Sequence, residues 1–327
     1  MLSACTRSRP SAPASERPVD DPRFDFRPTP WTPFSPVFDT PPRAVAFDAL
    51  CADDVERCRA ECSARDTIEF ASCALELRYG DDAASLELAR SLFDGSGVVV
   101  GVETSPTVEA GHLGELPISP APPVGPYRRH LEWVVESFRS VEDTFAALAA
   151  KAPRPMMFRT RPYALRFYKT ESRSFPSAWA IDGVVAYNVE GPLFQGRDGV
   201  AATLFHELFH LNDQGHGFWS VRALVDTYAA IRTQCGNDDA CLAPYAPDET
   251  RVEGGTFYAF DERVDDVREY AADVALRWFR EHEAALRGEP PEAPFRCATP
   301  ENLTTWTLLV EEFFGATDLL PPCEEQS

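Results

Sequence analysis

Two histidines and a glutamate have the spacing of a metal site in residues 201–213, which read A-A-T-L-F-H-E-L-F-H-L-N-D. His206 and His210 are four residues apart, so on a helix their side chains lie on one face and can bind the same ion. Glu207 lies about 100° further round the helix, where its carboxylate can reach a water in an open position of that ion. The chain has 6 histidines, and His206, His210 and His216 fall close together, which argues against a chance pair.

The surrounding sequence predicts that this pattern lies on a buried helix. Asp198 is the expected N-cap and Gly215 the expected end of that helix. Apolar residues recur at helical spacing, at Val200, Leu204, Leu208 and Leu211. H-E-x-x-H on a helix is the pattern of zinc hydrolases, and we therefore expect one bound Zn²⁺. The competing interpretation is a chance pair of histidines in an ordinary core helix.

A zinc site needs a third protein ligand, and His216 is one candidate. It follows His206 by ten residues, which is the metzincin spacing. Against this, Asp213 stands where the metzincin pattern has a glycine that lets the backbone turn. A metzincin also needs a methionine after the helix, and the methionines of this chain all precede it, at Met1, Met156 and Met157.

Glu269 is the other candidate, in the segment V-R-E-Y-A-A-D at residues 267–273. Glu269 and Asp273 are four residues apart and face the same way on the predicted helix. Asp265 and Asp266, one turn earlier, are competing carboxylates. Both His216 and Glu269 stay open as ligands, and the departures from the metzincin pattern favour Glu269.

With H-E-x-x-H at 206–210 and E-Y-A-A-D at 269–273, the chain resembles the gluzincin zinc peptidases, the thermolysin-like group. The second motif is especially similar to the E-x-x-A-D of the CAAX-processing and related small gluzincins. The resemblance covers roughly residues 180–280 and implies a zincin-like metallopeptidase domain. It also implies that Glu269 is the third zinc ligand and that Asp273 holds the other ring nitrogen of His206.

The same resemblance implies a zinc-dependent peptidase, more an endopeptidase than an exopeptidase. Glu207 would act as general base on the attacking water and then as acid toward the leaving amine. Tyr258 and His216 are both available to stabilise the oxyanion, and the sequence does not choose between them. Two other interpretations share these residues: a non-catalytic zinc-containing surface lipoprotein that acts as a binding module, and a secreted toxin-like protease. The presence of Glu207 favours an enzyme, because degenerate copies usually lose the general base.

Charge and hydropathy narrow the class of partner. The 327 residues carry a formal net charge of −21, which disfavours nucleic acid and anionic membrane surfaces as partners. The sequence has no apolar run long enough to span a bilayer. We therefore expect a peptide or protein substrate, and membrane contact only through a lipid on Cys5. Nothing in the sequence indicates an oligomeric state.

The cysteines indicate the compartment. Apart from Cys5 there are eight in local groups, an even set that predicts disulfides and an oxidising, extracytoplasmic compartment: Cys51, Cys58, Cys62, Cys73, Cys235, Cys241, Cys297 and Cys323. The two later groups are expected pairs, whereas the pairing of the first four stays open. The alternatives are eight reduced thiols, or a second zinc site in the first four, which lack the C-x-x-C of such sites.

The start of the chain has a context of its own. Leu2-Ser3-Ala4-Cys5 resembles the lipobox of bacterial lipoproteins, in which the cysteine carries lipid. We therefore expect a lipid-anchored cell-envelope protein, and otherwise a secreted one. A Pro-rich linker follows, in which Trp31, Phe34 and Phe38 are candidates for packing on the body.

Four regions are predicted along the chain. Residues 1–43 hold the lipobox-like start and the linker, and residues 44–126 form a helical, Cys-rich accessory region. Residues 127–290 form the zincin-like metallopeptidase domain, and residues 291–327 a C-terminal helix and a disulfide-pinned tail. The expected fold class is α+β, mainly helical, with a small mixed sheet, an active-site helix and a disulfide-stapled helical N-terminal region.

Hydrophobic periodicity predicts the elements that position the site. Strands are expected at 98–102, 156–170 and 177–189, the last with a turn at Ile181-Asp182-Gly183, and 103–126 is expected to be a loop or irregular hairpin. If Val184–Asn188 lies at a sheet edge, an extended peptide could pair with it; an internal strand is the alternative. Helices are expected at 127–151, 218–233, 261–283 and 301–314.

Overall fold

The computed structural model describes residues 26–35, 50–51, 55–62, 68–101, 107–111, 114–170, 177–252, 255–261 and 266–323. Cys5, Phe38 and Asp265 lie outside these ranges. The described residues form a mixed α+β fold that is mainly helical and has one small mixed sheet, as the sequence predicts. Within these ranges, no helix combines the length and the hydropathy that crossing a membrane requires.

The elements are numbered in chain order. The α-helices with described bounds are α1 Val55–Glu61, α2 Ile68–Tyr79, α3 Ala83–Ser96, α4 Arg128–Ala149, α5 Arg197–Gly215, α6 Trp219–Ala223, α7 Val225–Cys235, α8 Asp239–Leu242, α9 Asp266–Leu286 and α10 Pro300–Phe313. The strands are β1 Val99–Gly101, β2 Thr107–Gly111, β3 Gly114–Pro120, β4 Ala164–Thr170, β5 Ala178–Ile181 and β6 Val184–Asn188. The predicted helices at 127–151 and 301–314 are thus confirmed as α4 and α10.

The strands form one sheet in the order β2-β3-β4-β6-β5, with β1 also paired to β4. β4 is parallel to β1 and β6 and antiparallel to β3, and β5 is antiparallel to β6. Of the two alternatives for Val184–Asn188, an edge strand and an internal strand, the internal strand is confirmed, since this strand is β6 and lies between β4 and β5. Among the strands described, β5 is the one at that edge.

The β5–β6 hairpin confirms the predicted turn. Asp182 (φ 53°) and Gly183 (φ 79°) are both left-handed, which is the geometry of a two-residue type I′ turn. Such a turn matches the twist of the strands that it joins. Gly183 also has no room for a side chain, because a Cβ there would collide with the ring of Tyr163.

Helix α5, which carries H-E-x-x-H, packs against α4, α9 and β5. Its two phenylalanines anchor it on sides that do not carry the histidines. The ring of Phe205 stacks on Phe279 with centroids 4.4 Å apart, and Phe209 meets Phe313 edge-on at 5.2 Å. Because apolar residues surround it, α5 is held in a fixed position, which the site requires.

The ends of α5 agree with one prediction and contradict the other. Gly215 is the last residue of α5, as predicted, and the carbonyl of Phe26 lies where a Cβ would stand. Asp198 is not the N-cap, because α5 begins at Arg197 and Gly196 holds the cap position. Asp198 lies in the first turn, where its negative charge suits the positive end of the helix dipole.

All eight grouped cysteines form disulfides. The two expected pairs are confirmed, and the first four cysteines pair locally: Cys51–Cys58, Cys62–Cys73, Cys235–Cys241 and Cys297–Cys323. The second zinc site and the reduced thiols are therefore excluded as interpretations. The four bridges indicate an oxidising, extracytoplasmic environment.

Part of the Pro-rich linker lies against the body. The backbone N–H of Trp31 donates to the carbonyl of Met156 at 2.7 Å, and its indole N–H donates to Thr160 at 3.3 Å. The guanidinium of Arg161 lies over the ring of Phe34, 5.3 Å from its centroid. The packing expected of Trp31 and Phe34 is thus confirmed.

Three other predictions were only partly right. Residues 107–120 are a regular hairpin, β2–β3. Residues 156–163 are not a strand, because Met157 and Arg159 bond instead to the carbonyl of Phe313 and the side chain of Asn212. The helix predicted at 218–233 is divided at Leu224 into α6 and α7.

Candidate metal centre

Three side chains from two helices meet beside α5. His206 Nε2 lies 3.0 Å from His210 Nε2 and 3.0 Å from Glu269 Oε2, and His210 Nε2 lies 3.4 Å from the same carboxylate oxygen. The helical spacing aims both imidazoles from α5 at one point, and α9 supplies the carboxylate. No other group of three potential metal ligands of this kind occurs among the residues described.

Asp273 fixes the ring of His206 from behind. Its Oδ1 lies 3.0 Å from Nδ1 of His206, on the side of the ring that faces away from His210 and Glu269. If Nδ1–H donates to Asp273, the lone pair of Nε2 points toward the cluster. Glu269 and Asp273 are one helical turn apart on α9, so each carboxylate contacts one of the two ring nitrogens of His206.

The cluster favours a positive charge at its centre. Burial lowers the pKa of His206, but hydrogen bonds to Asp273 and Glu269 outweigh burial and hold that pKa well above its usual value. For Glu269, burial raises the pKa. The nearby charge of His210 and the hydrogen bond from His206 outweigh burial and hold the pKa of Glu269 well below its usual value. A carboxylate and two imidazoles in this arrangement attract a cation.

Glu207 is buried on the same helix, next to His206. Burial raises the pKa of its carboxyl group, and the histidines and Arg268 act in the opposite direction. A carboxylate with a raised pKa accepts a proton more readily, which suits a residue that must take a proton and return it. Sequence spacing placed this residue correctly beside the histidines.

Tyr258 belongs to the same cluster. Its ring centroid lies 6.2 Å from that of His206, and the negative charge of Glu269 acts on its hydroxyl. Burial, followed by the negative charges of Glu269 and Glu207, holds the pKa of Tyr258 well above its usual value. The hydroxyl therefore stays protonated and can donate.

His216 has another role in this structure. Its Nδ1 lies 2.6 Å from Glu312 Oε1, and its Nε2 lies 3.0 Å from the carbonyl of Met157. Both nitrogens are thus engaged away from His206, so the geometry brings Glu269 and not His216 to the two histidines. Of the competing carboxylates, Asp265 lies outside the described residues, and Asp266 is the first residue of α9.

Two residues near the cluster were not singled out by the sequence. Arg268 precedes Glu269 on α9, and its guanidinium lies over the ring of Phe218, 5.6 Å from the centroid. The positive charge of Arg268 also acts on Glu207. No local spacing relates Phe218 to α9, so only the tertiary structure could reveal this pair.

Comparison of the chain with protein-family models, with curated proteins and with solved structures found no match.

Proposed function

We propose that this protein is a zinc-dependent peptidase that binds one Zn²⁺ through His206, His210 and Glu269. The observation that carries the proposal is the convergence of three donor atoms at separations of 3.0, 3.0 and 3.4 Å. Ligand atoms at 2.0–2.1 Å from a tetrahedral zinc ion lie about 3.3 Å apart, so the three atoms fit this metal. Two histidines and a glutamate are also the ligands of catalytic zinc sites that keep one position for water.

When bound, the ion would supply a polarised substrate carbonyl and a water of lowered pKa. Glu207 then has the role of general base: it takes the proton of the attacking water and passes it to the leaving nitrogen. The raised pKa of Glu207, which results mainly from burial, supports this exchange. Asp273 acts through His206, whose ring it orients.

Tyr258 is our proposed stabiliser of the oxyanion. Its hydroxyl remains protonated, because burial and the negative charges of Glu269 and Glu207 raise its pKa, and its ring lies beside that of His206. The other candidate, His216, has both ring nitrogens engaged with Glu312 and Met157. A neutral donor beside the reacting carbonyl is worth most in a buried site such as this one.

The edge strand supports a peptide or protein as substrate. β5 packs against α5, and among the strands described it pairs only with β6. An extended peptide can add to such an edge by backbone hydrogen bonds and would then run past the metal helix. Pairing of this kind needs no free terminus of the peptide, which favours an endopeptidase over an exopeptidase. We propose that the domain that carries this activity is zincin-like and of the gluzincin type.

The proposal extends to location. The disulfides indicate an oxidising, extracytoplasmic compartment. We propose that a lipid on Cys5 anchors the protein to the cell envelope and that the Pro-rich segment acts as the tether. Mass spectrometry of the native protein tests this, since an unmodified Cys5 would favour the secreted form.

Glu207→Gln is the decisive variant for the reaction. With zinc loaded, wild-type protein should cleave members of a mixed peptide library, as followed by mass spectrometry. Glu207→Gln should keep one equivalent of zinc and lose about 10²- to 10⁴-fold in rate, because the proton has no acceptor. Glu132→Gln makes the same substitution at an exposed position of α4 and should be fully active.

Two outcomes would contradict the proposal. Full activity in Glu207→Gln would remove the role of general base from this residue. A wild-type protein that holds zinc and cleaves nothing would favour the binding module.

A further inference from the structure

Tyr258 lies on a loop and not on either of the two helices that supply the metal ligands. It begins the short 3₁₀ turn Tyr258–Phe260, which precedes α9 in the chain. Its ring centroid lies 6.2 Å from that of His206, so a small shift of the loop would move its hydroxyl relative to the metal ligands. A displacement of about 1 Å can cost a reaction about 10²-fold in rate. The contacts that hold this loop therefore matter for the proposed role of Tyr258.

Two arms, residues 248–252 and 255–260, make up what we call the Tyr258 loop. The N–H of Tyr258 donates to the carbonyl of Thr250 at 2.8 Å, and the N–H of Val252 donates to the carbonyl of Thr256 at 3.1 Å. Phe260 is fully buried and packs against the rings of neighbouring helices, which fixes the end of the second arm. Tyr258 lies two residues from Phe260 and two from Thr256, so its place depends on both.

Asp239 contacts both arms of the Tyr258 loop with one carboxylate. Its Oδ1 accepts the hydroxyl of buried Thr256 at 2.6 Å, and its Oδ2 pairs with the guanidinium of Arg251. Arg251 in turn lies over the ring of Phe257, 4.0 Å from its centroid. The hydrogen bond from Thr256 is the main cause that lowers the pKa of Asp239, so the carboxylate is ionised at neutral pH. Both of its oxygens thus act on this loop.

Asp239 is itself held in place. It is the first residue of α8, and its neighbour Asp238 caps that helix by accepting the N–H of Ala240 at 2.9 Å. The Cys235–Cys241 disulfide ties the segment that contains Asp239 to the end of α7. The side chain of Asp239 remains 46% exposed, so it contributes little to the buried core. Its contacts therefore serve the loop more than the stability of the fold.

We propose that Asp239 positions Tyr258 for oxyanion stabilisation by holding the Tyr258 loop through Thr256 and Arg251. Asp239 is a positioning residue, since it acts on the reaction through the loop. The inference rests on the proposed peptidase function, and it adds a residue from α8 to a site that α5 and α9 otherwise build.

Three variants and one control test the proposal. Asp239→Ala and Thr256→Val each remove the hydrogen bond between the two residues, whereas Thr256→Ser keeps the hydroxyl and should behave as wild type. Loss of an oxyanion donor costs about 10²- to 10³-fold in kcat. A displaced donor keeps part of its effect, so the first two variants should lose about tenfold in kcat, with KM and zinc content unchanged. Asp226→Ala, at an exposed aspartate in the first turn of α7, should be fully active.

Tyr258→Phe separates positioning from general damage. If Asp239 acts through Tyr258, then Asp239→Ala should cost nothing further in protein that already carries Tyr258→Phe. A further tenfold loss in that background would overturn the proposal.

Hydrogen exchange gives a measurement that does not depend on activity. In zinc-loaded protein, Asp239→Ala should speed exchange of the Val252 and Tyr258 amides, whose hydrogen bonds join the two arms, and leave α5 and α9 unchanged. Unchanged exchange in the loop would overturn the proposal. Faster exchange throughout, with a lowered melting temperature, would also overturn it, because Asp239 would then support the fold as a whole.

Failure of the positioning role can be told from failure of the proposed function. An active wild-type protein with full kcat in Asp239→Ala and in Thr256→Val would overturn the positioning role alone. A wild-type protein that binds zinc and cleaves no peptide would overturn the peptidase and, with it, the role of Asp239 in the reaction.

Discussion

The C-terminal part of α5 and its cap fall into two halves, residues 206–210 and 212–216, which both contain buried polar residues and use them in opposite ways. In the first half, Nε2 of His206 and Nε2 of His210 face each other and the carboxylate of Glu269. In the second half, each polar side chain has its own partner elsewhere in the fold. Burial of polar residues therefore does not identify a site; the convergence of several electron-pair donors on one point does.

The second half of α5 shows what a purely structural use looks like. The amide of Asn212 donates to the carbonyl of Leu208 at 2.8 Å and to that of Arg159 at 3.0 Å, and it accepts the N–H of Arg159 at 2.7 Å. Asp213 fixes Ser220, and His216 bridges Glu312 and Met157. Such bonds hold the helix against its neighbours, so the first half can keep its donors free of structural partners.

The largest effect should come from removing a ligand in the first half. Wild-type protein should contain one equivalent of zinc, Glu269→Ala should contain none, and His216→Ala should keep it. Metal analysis of purified protein checks this. A chelator should lower the melting temperature of wild-type protein and leave that of Glu269→Ala unchanged. At a free zinc concentration of 1,000 times Kd, the bound ion contributes about 4 kcal/mol. Zinc lost only in His216→Ala would reverse the roles of the two halves.

Asp213→Ala should damage the fold and spare the metal. The substitution leaves the N–H and hydroxyl of Ser220 without their buried acceptor, which should cost about 3 kcal/mol of unfolding free energy. Urea denaturation measures the loss. Asp198→Ala, an exposed aspartate on the same helix, should change stability by less than about 0.5 kcal/mol. A folded Asp213→Ala protein without zinc would couple the two halves more tightly than the hydrogen bonds indicate.

Asp273→Asn should have the converse effect. Asparagine keeps the shape and an acceptor for Nδ1 of His206 but removes the negative charge behind the ring. Zinc affinity should fall about tenfold, which is the smaller end of the range of losses for residues that orient a metal ligand. Competition with a chelator gives the affinity. An unchanged Kd for zinc would mean that Asp273 supports the fold and does not affect the metal site.

His130 is a buried histidine outside the metal centre, and within the described part of the chain only one of its ring nitrogens has a hydrogen-bond partner. Its Nδ1 lies 2.9 Å from the hydroxyl of Tyr187, and Nε2 has no partner among the described residues. Burial, aided by the charge of Arg129, lowers the pKa of His130 to about 4. Since a histidine in the unfolded chain titrates near 6.5, the unfolded state binds more protons between these values, and stability falls as the pH falls.

The contribution of His130 should amount to about 2 kcal/mol between pH 7 and pH 5. His130→Gln should therefore lose less stability over that interval than wild-type protein does, as urea titrations at the two pH values would show. Identical losses would mean that the pKa of His130 does not change on folding.

The parts of the site that lie within single helices could be predicted from the sequence. His206 and His210, like Glu269 and Asp273, are four residues apart, and helical geometry alone aligns each pair. It could not place Tyr258 or Phe218, because their positions depend on how separate elements pack. The same limit explains why the sequence left β6 open between an edge and an internal position, since neighbours in a sheet are set by distant segments of chain. Asp198 shows a smaller limit, since this residue is suited to a cap but lies two residues after the actual cap, Gly196.

Each disulfide joins a cysteine to the next cysteine along the chain after Cys5, with separations of 7, 11, 6 and 26 residues. An oxidant that simply links consecutive thiols as they emerge would therefore produce the native set without later reshuffling. Cys5 is the one thiol that could shift this order, since it precedes Cys51 and could capture it. Blocking Cys5 with a lipid would remove that competitor before the first native pair closes.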